Sequence, residues 1–245
     1  MTTRLADADP CLTRAPSERV AAWMPAGMLD WPGRVATTVF IAGCNFRCPY
    51  CHNSSLVQGS GSPEAWQTLA SHIRTRRDWI DGVVITGGEP TTDPGLLGLL
   101  NEFASWSVPV KLDTNGTNPR LLSDILDSGL VAHVALDIKS SPERYSSACG
   151  VASAWPAVSE SISAVIDSGI PHEFRTTAYP LVVTRDDLTS IAAILSEGNL
   201  YVLQQFRPGE TLLPEASSVE PYSPDVLLDI AQACSSWIPT VTRGV

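Results

Sequence analysis

The sequence predicts an α/β protein built on a parallel sheet. Short runs rich in β-branched residues alternate with longer stretches of helical periodicity, a pattern typical of βαβ units. Several helical stretches carry a proline in the first turn, and Gly129 and Gly169 stand where helix C-caps belong. With 44% hydrophobic and 17% charged residues, the 245-residue chain can bury a sizeable core. We therefore expect a single globular α/β domain.

Six strands and six helices are expected in alternation. The predicted strands are 35–42, 82–86, 108–113, 131–138, 172–178 and 200–206. The predicted helices are 63–78, 94–106, 119–128, 155–168, 186–196 and 224–237. Six units are too few for the common eight-stranded barrel, so either an open doubly wound sheet or an incomplete barrel could form. Residues 1–24 have no sustained period and are predicted to be an N-terminal tail, which leaves 25–245 for the domain.

Three cysteines lie within eight residues, directly after the first predicted strand. Cys44, Cys48 and Cys51 follow the spacing Cys-x3-Cys-x2-Cys. Thiolates are the soft ligands that iron-sulfur clusters and zinc select, and three in one loop can converge on one inorganic centre. A four-iron cluster held by only three thiolates would keep one iron open to a cofactor or substrate. The spacing therefore predicts a metal centre at this point of the chain.

Two other interpretations of these cysteines are weighed. Zinc could take them with His52 as a fourth ligand, although neighbouring side chains in an extended loop tend to diverge and no second Cys or His pair follows at zinc spacing. Disulfides would leave one thiol over, and no signal sequence suggests an oxidising compartment. Cys149 and Cys234 stand alone and are expected to be buried structural residues, while Cys11 is assigned no function.

Further polar and glycine residues stand at the ends of later strands. In parallel α/β architectures chemistry gathers at these carboxyl ends. The residues concerned are Gly87, Gly88, Glu89 and Pro90 after the second strand, Asp113, Thr114 and Asn115 after the third, Asp137 and Lys139 after the fourth, and Arg175 on the fifth. Paired glycines let a ligand approach the backbone, but they also form tight turns. The carboxylates could bind a ligand or cap helices, and two of them together need a cation or a lysine between them.

The cysteine spacing, with aromatic Tyr50 just before the last cysteine, resembles that of the radical S-adenosylmethionine (SAM) superfamily. The resemblance implies a 4Fe-4S cluster on Cys44, Cys48 and Cys51, with SAM bound to the open iron through its amino and carboxylate groups. It further implies that electron transfer from the reduced cluster cleaves SAM to methionine and a 5'-deoxyadenosyl radical. In fold, it favours an incomplete (β/α)6 TIM-like barrel over the open sheet.

The strand-end motifs resemble those of the glycyl-radical-enzyme activating enzymes within that superfamily. The likeness lies in 87–90, 112–116 and 136–139. It implies that the SAM-binding residues are Tyr50, Gly87, Gly88, Glu89, Pro90, Asp113, Asn115, Asp137, Lys139 and Arg175. It also implies a monovalent cation near Asp113, Thr114 and Asp137. Where pyruvate formate-lyase activators carry a SAM-contacting histidine, this chain offers Gln205 or Arg207.

A closer resemblance, from about residue 28 to 207, is to the activating proteins of anaerobic (class III) ribonucleotide reductase. Segments 29–35, 43–53 and 203–207 carry it. It implies an activase that takes a Cα hydrogen from a glycine of the reductase, with a flavodoxin or ferredoxin-type electron donor. Three alternatives stay open: an activase of another glycyl-radical enzyme, a small-molecule enzyme resembling 7-carboxy-7-deazaguanine synthase, and a zinc-stabilised binding module without catalysis.

Charge and hydropathy exclude several partners. The formal net charge of -10 and the pI near 4.7 argue against duplex DNA or an anionic membrane surface. No apolar run approaches the roughly 20 residues that span a bilayer. We therefore expect a soluble, cytoplasmic enzyme that binds neither nucleic acid nor membrane.

Overall fold

The strands form one sheet in the computed structural model, which describes residues 19–245. The strands are β1 Val20–Gly27, β2 Ala36–Ile41, β3 Gly82–Gly87, β4 Val110–Thr114, β5 His133–Asp137, β6 His172–Ala178, β7 Tyr201–Gln205 and β8 Thr240–Arg243. They follow one another across the sheet in chain order. The β1–β2 pair is antiparallel, and every later pair is parallel. Strands β2 to β7 are the six that the sequence predicts.

All six predicted helices are confirmed, and two short ones join them. The helices are α1 Ser54–Val57, α2 Pro63–Arg76, α3 Leu96–Ser105, α4 Pro119–Ser128, α5 Tyr145–Cys149, α6 Trp155–Asp167, α7 Arg185–Ile194 and α8 Pro224–Cys234. Local chemistry sets the bounds of α4: the Asn118 side chain accepts the Leu121 N–H at its start, and Gly129 ends it with φ 69°. Helices α1 and α5 are too short to show a periodicity. No helix within residues 19–245 is long and apolar enough to cross a membrane.

The two outer strands, β1 and β8, are not foreseen from the sequence. Most side chains of β1 are partly or fully exposed, and β8 has only four residues, so neither shows a clear pattern of alternation. The predicted tail, 1–24, overlaps β1 from Val20 onward. Residues 1–18, with Cys11, lie outside the described part of the chain. The domain boundary at residue 24 stays a prediction.

Side chains from alternate strands contact one another on one face of the sheet. The sheet is therefore curled, and this face is its concave one. Lys111 of β4 pairs with Glu173 of β6 at 3.1 Å, and Glu173 pairs with Arg243 of β8 at 2.9 Å. The neighbours Leu112 and Phe174 point the opposite way and belong to the hydrophobic core. Within residues 19–245 the edge strands β1 and β8 do not pair with each other. The fold is therefore the incomplete barrel that the sequence predicts, with a polar interior.

Candidate cofactor site

One cavity of about 460 Å³ lies at the carboxyl ends of the parallel strands. Nearly all the predicted site residues line it: Cys44, Cys48, Tyr50, Cys51, Gly87, Gly88, Glu89, Asp113, Thr114, Asn115, Asp137, Lys139 and Arg175. Pro90 is the exception, since it is buried in the 3-10 turn Pro90–Thr92 beside the cavity. The parallel topology thus brings motifs from five strands together, as expected from the sequence.

The three thiols of Cys44, Cys48 and Cys51 face this common cavity. Burial raises the pKa of Cys48 to about 12 and also raises the pKa of Cys44. Both are therefore protonated at neutral pH in the absence of metal, and a metal centre must displace these protons when it binds. Soft sulfur donors beside a cavity of this size fit an iron-sulfur cluster that also binds a ligand.

The cysteine loop, residues 43–53, is anchored to two distant elements. The Arg47 N–H donates to the carbonyl oxygen of Cys149 at the end of α5, at 2.7 Å. The Asn115 Nδ2 donates to Asn45 Oδ1 at 2.9 Å, which ties the loop to the end of β4. Cys149 is fully buried, as predicted for a structural cysteine. The positions of the three thiols therefore depend on contacts made far along the chain.

A strap, residues 207–213, holds the other side of the cysteine loop. The N–H groups of Leu212 and Leu213 each donate to a carbonyl oxygen of the loop at 3.0 Å. The His52 Nε2 donates to the carbonyl oxygen of Arg207 at 2.8 Å. This hydrogen bond occupies Nε2, so a zinc ion could bind His52 only through Nδ1.

The glycine pair after β3 allows two backbone segments to touch. Gly87 has φ 117°, and a Cβ atom on Gly88 would lie 2.0 Å from the Gly43 carbonyl oxygen. The same oxygen accepts the Glu89 N–H at 2.8 Å. In this structure the close approach is to the start of the cysteine loop. A role of these glycines in binding SAM stays a prediction.

Glu89 is buried and joins the ends of β3 and β4. Its Oε1 accepts hydrogen bonds from the hydroxyls of Thr91 and Thr114, both at 2.6 Å, and its Oε2 accepts the Asn115 N–H at 2.6 Å. Burial raises the pKa of Glu89, and these hydrogen bonds oppose the rise. The Glu89 carboxylate therefore links the ends of β3 and β4, two of the strands that line the cavity.

Arg175 bridges the two aspartates of the site. Its Nη1 lies 3.0 Å from Asp113 Oδ2, and its Nε lies 2.8 Å from Asp137 Oδ1. Lys139 Nζ lies 3.0 Å from Asp137 Oδ2. Burial alone would raise the pKa of Asp137, but the Arg175 and Lys139 charges outweigh it and hold that pKa well below its usual range. Asp137 is therefore an anion at any physiological pH.

Sequence reasoning missed a second layer of charges beneath this one. Lys111 is fully buried and lies 3.3 Å from Asp113 Oδ1 and 3.1 Å from Glu173 Oε1. Burial alone would raise the pKa of Glu173, but Arg243 and Lys111 lower it to about 2. The sequence did carry a signal for this layer. Charged residues occupy alternate positions of β4 and β6, and these are the positions whose side chains point inward.

The residues offered in place of the histidine of pyruvate formate-lyase activators point away from the cavity. Gln205 Nε2 donates to the Tyr222 carbonyl oxygen at 2.9 Å, and Arg207 Nη2 donates to that of Gly244 at 3.3 Å. Their assignment to the cavity was wrong: Gln205 faces away because successive side chains of a strand point to opposite faces, and Arg207 lies beyond the end of β7. Gln204, one position earlier, lines the cavity instead.

Tyr50 forms part of an aromatic wall beside the cysteines. Its ring centroid lies 5.0 Å from that of Tyr179, which in turn lies 4.9 Å from that of Phe206. Burial raises the pKa of Tyr50 well above its usual value. The Tyr50 hydroxyl has no hydrogen-bond partner among residues 19–245. The Tyr50 ring therefore adds an apolar surface to the cavity lining beside the cysteines.

A partial barrel whose cavity presents three thiols beside paired carboxylates and cations fits an enzyme that binds a metal cluster. Residues 38–194 match the family model described as the radical SAM superfamily. The chain belongs to the radical SAM superfamily, as the cysteine spacing predicts. Members of this family use a 4Fe-4S cluster and SAM, and the thiol donors found here fit that cluster.

Curated relatives agree with this assignment, and a solved structure agrees with the fold. The Methanocaldococcus jannaschii protein MJ1227, named provisionally as a glycyl-radical enzyme activating enzyme, is 27% identical over 220 residues, covering 87% of this chain and 90% of the relative. The pyruvate formate-lyase-activating enzyme of Clostridium pasteurianum is 31% identical over 119 residues, 46% of this chain and 49% of the relative. Streptococcus suis SuiB bound to SAM, at 13% identity, has a TM-score of 0.64 over 82% of this chain and 48% of that one. SuiB supports the fold alone.

Proposed function

We propose that this protein is a glycyl-radical-enzyme activating enzyme and that its substrate is anaerobic ribonucleotide reductase. The observation that carries the first part is the likeness to MJ1227 along 87% of the chain, which includes the cysteine loop. The second part is supported by segments 29–35, 43–53 and 203–207, which resemble the activating proteins of that reductase. In this interpretation the enzyme works in the cytoplasm, where thiols stay reduced.

Different residues of the cavity would bind the iron-sulfur cluster and SAM. Cys44, Cys48 and Cys51 would hold the 4Fe-4S cluster, which when bound and reduced supplies the electron that cleaves SAM into methionine and a 5'-deoxyadenosyl radical. Lys139 donates one of its three hydrogens to Asp137, so its ammonium group can also bind the SAM carboxylate. Arg175 adds a second positive charge nearby. Since the reaction on glycine is a hydrogen-atom transfer, we assign no general acid or base.

The open sheet suits a macromolecular substrate. The strands β1 and β8 are its edges, and a glycine-bearing peptide loop would enter between them to reach the cavity. The radical would take the Cα hydrogen of that glycine and leave a glycyl radical on the reductase. The electron would come from a flavodoxin or ferredoxin-type donor, since such clusters can have very low reduction potentials.

The test is anaerobic reconstitution with iron and sulfide, followed by reduction with dithionite in the presence of SAM. We expect 5'-deoxyadenosine from the wild type and none from Cys48→Ala. Anaerobic ribonucleotide reductase and pyruvate formate-lyase are then added separately, and electron paramagnetic resonance is used to detect a glycyl radical. We expect the radical on the reductase, and none when its radical-bearing glycine is replaced by alanine.

Each of the other possible results would favour one of the alternative functions. A radical on pyruvate formate-lyase alone would reassign the partner. Production of 5'-deoxyadenosine without a radical on either protein would favour a small-molecule enzyme. A protein that takes up only zinc and leaves SAM intact would favour the binding module.

A further inference from the structure

The predicted ligands of a monovalent cation are already bound by the chain itself. Those ligands are Asp113, Thr114 and Asp137. One guanidinium group, that of Arg175, spans both carboxylates, with Nη1 3.0 Å from Asp113 Oδ2 and Nε 2.8 Å from Asp137 Oδ1. It therefore lies where a cation that bridges the two aspartates would lie.

The remaining carboxylate oxygens also face positive groups. Asp137 Oδ2 lies 3.0 Å from Lys139 Nζ. Asp113 Oδ1 accepts no hydrogen bond within residues 19–245, but it lies 3.3 Å from Lys111 Nζ as an ion pair. An alkali ion placed on either aspartate would come close to a guanidinium or ammonium group, and the two positive charges would repel each other strongly at this depth. The residues present therefore do not fit a monovalent cation.

The Thr114 hydroxyl is also engaged by the chain itself. Its Oγ1 donates to Glu89 Oε1 at 2.6 Å and accepts the Gly116 N–H at 3.1 Å. A hydroxyl has one donor and two acceptor positions, so two of its three positions are in use. The contact with Glu89 also fixes the direction of the hydroxyl. Thr114 is therefore a link between β3 and β4.

The ion-paired side chains around Asp113 and Asp137, here called the ion-paired cluster, also bear on whether a cation would bind. The cluster contains the cations Lys111, Lys139, Arg175 and Arg243 and the carboxylates Asp113, Asp137 and Glu173. Four cations on three carboxylates leave one positive charge in excess. Asp30 also lines the cavity, with its Oδ2 bound to the Thr38 hydroxyl at 2.6 Å. Glu89 lines the same cavity, so the excess belongs to the ion-paired side chains alone, and among these each carboxylate already faces at least one cation.

The geometry points to Arg175 and Lys111 as built-in replacements for a monovalent cation, so that SAM binds to this protein without an alkali ion. An ammonium group resembles K⁺ in charge and size, which suits Lys111 to this role beneath Asp113. Arg175 and Lys111 are positioning residues in this inference, since both act through the aspartates. The inference concerns the SAM site and rests on the proposed function only in that the site binds SAM.

The first measurement is the affinity of the reconstituted wild-type protein for SAM. Anaerobic calorimetry is done in KCl, NaCl and choline chloride at equal ionic strength. We expect dissociation constants that agree within about twofold. A loss of affinity of about tenfold or more in choline, restored by K⁺, overturns the inference. Because glycyl radical formation is not measured, a failure of the partner assignment leaves this result readable.

A second measurement does not depend on SAM. Equilibrium dialysis with rubidium, which behaves like K⁺, counts alkali ions bound by the reconstituted protein. We expect no stoichiometric binding to the wild type, and one bound rubidium ion per chain overturns the inference. This result stands even if the protein proves not to bind SAM.

Lys111→Met removes the buried ammonium and leaves one oxygen of Asp113 without its ion pair. We expect this variant to bind rubidium and to need K⁺ for SAM binding. The control is Arg185→Met, which breaks an exposed ion pair with Asp229 on the outside of the barrel and should change neither property. A folded Lys111→Met protein that stays independent of alkali ions overturns the role given to Lys111. If that variant does not fold, the two measurements on the wild-type protein test the inference without it.

Discussion

The Thr114 hydroxyl donates a 2.6 Å hydrogen bond to the Glu89 carboxylate, which together with the Asn115 N–H bond to the same carboxylate joins the turn after β3 to the end of β4. The Glu89 N–H in turn donates to Gly43 at the start of the cysteine loop. The ends of three neighbouring strands are therefore linked through one residue. A change at any of these points should displace the thiols as well as the strand that carries it.

Gly88→Ala tests this linkage. The new Cβ would lie 2.0 Å from the Gly43 carbonyl oxygen, a backbone atom that cannot move without moving the cysteine loop. We expect the free energy of unfolding to fall by about 3 kcal/mol and the iron content after reconstitution to drop. The matched control is Gly27→Ala, since nothing lies within 4 Å of a Cβ at that position. Full iron content in Gly88→Ala would contradict the linkage.

His52→Ala tests the strap. The variant loses the 2.8 Å hydrogen bond to the Arg207 carbonyl oxygen. Because the site is exposed, we expect a modest fall of about 0.5–1.5 kcal/mol in stability. We also expect faster release of iron when the reconstituted protein meets air. His52→Gln should slow that release again, because its amide N–H can donate to the same carbonyl. Equal release rates in all three proteins would show that the strap does not protect the cluster.

Glu173→Gln tests the buried charges beneath the cavity. The wild-type Glu173 has its pKa lowered from 4.5 to about 2, so its contribution is fully present above pH 4.5 and is lost as the pH falls toward 2. The variant leaves Lys111 and Arg243 without this carboxylate, and we expect a loss of about 3–5 kcal/mol at pH 7.

Denaturant titrations across that pH range measure both effects of Glu173→Gln. The stability difference from the wild type should shrink as the pH falls from 4.5 toward 2. The control is Glu197→Gln, at an exposed position. A difference that does not change with pH would mean that the loss comes from packing alone.

Cys149→Ala tests whether three thiols are enough. Cys149 is buried, and its Sγ lies 3.3 Å from the Val151 carbonyl oxygen. We expect the variant to keep the iron and sulfide content of the wild type and to lose about 1 kcal/mol of stability to the small cavity. Cys48→Ala should lose the cluster. If Cys149→Ala also lost it while remaining folded, Cys149 would have to be counted among the ligands.

The strand and helix pattern could be predicted because its signals are local. Helix α4 matches its predicted bounds at both ends, since Asn118 caps its start, Pro119 occupies its first turn and Gly129 ends it. Strand β8 has no such signal, because four residues are too few to show alternation. The exposed edge strand β1 likewise has little apolar periodicity. Edge strands are therefore where the sequence was least informative.

The sequence by itself determined that the cysteine loop and the strand-end motifs share one site, because parallel strands bring their carboxyl ends to the same edge of a sheet. Only the tertiary structure decided which groups contact one another there. The pairing of Arg175 with Asp113 joins residues 62 positions apart. It depends on the register of β4, β5 and β6 and on the curl of the sheet. Such contacts leave no local pattern, since they arise only when distant strands pack together.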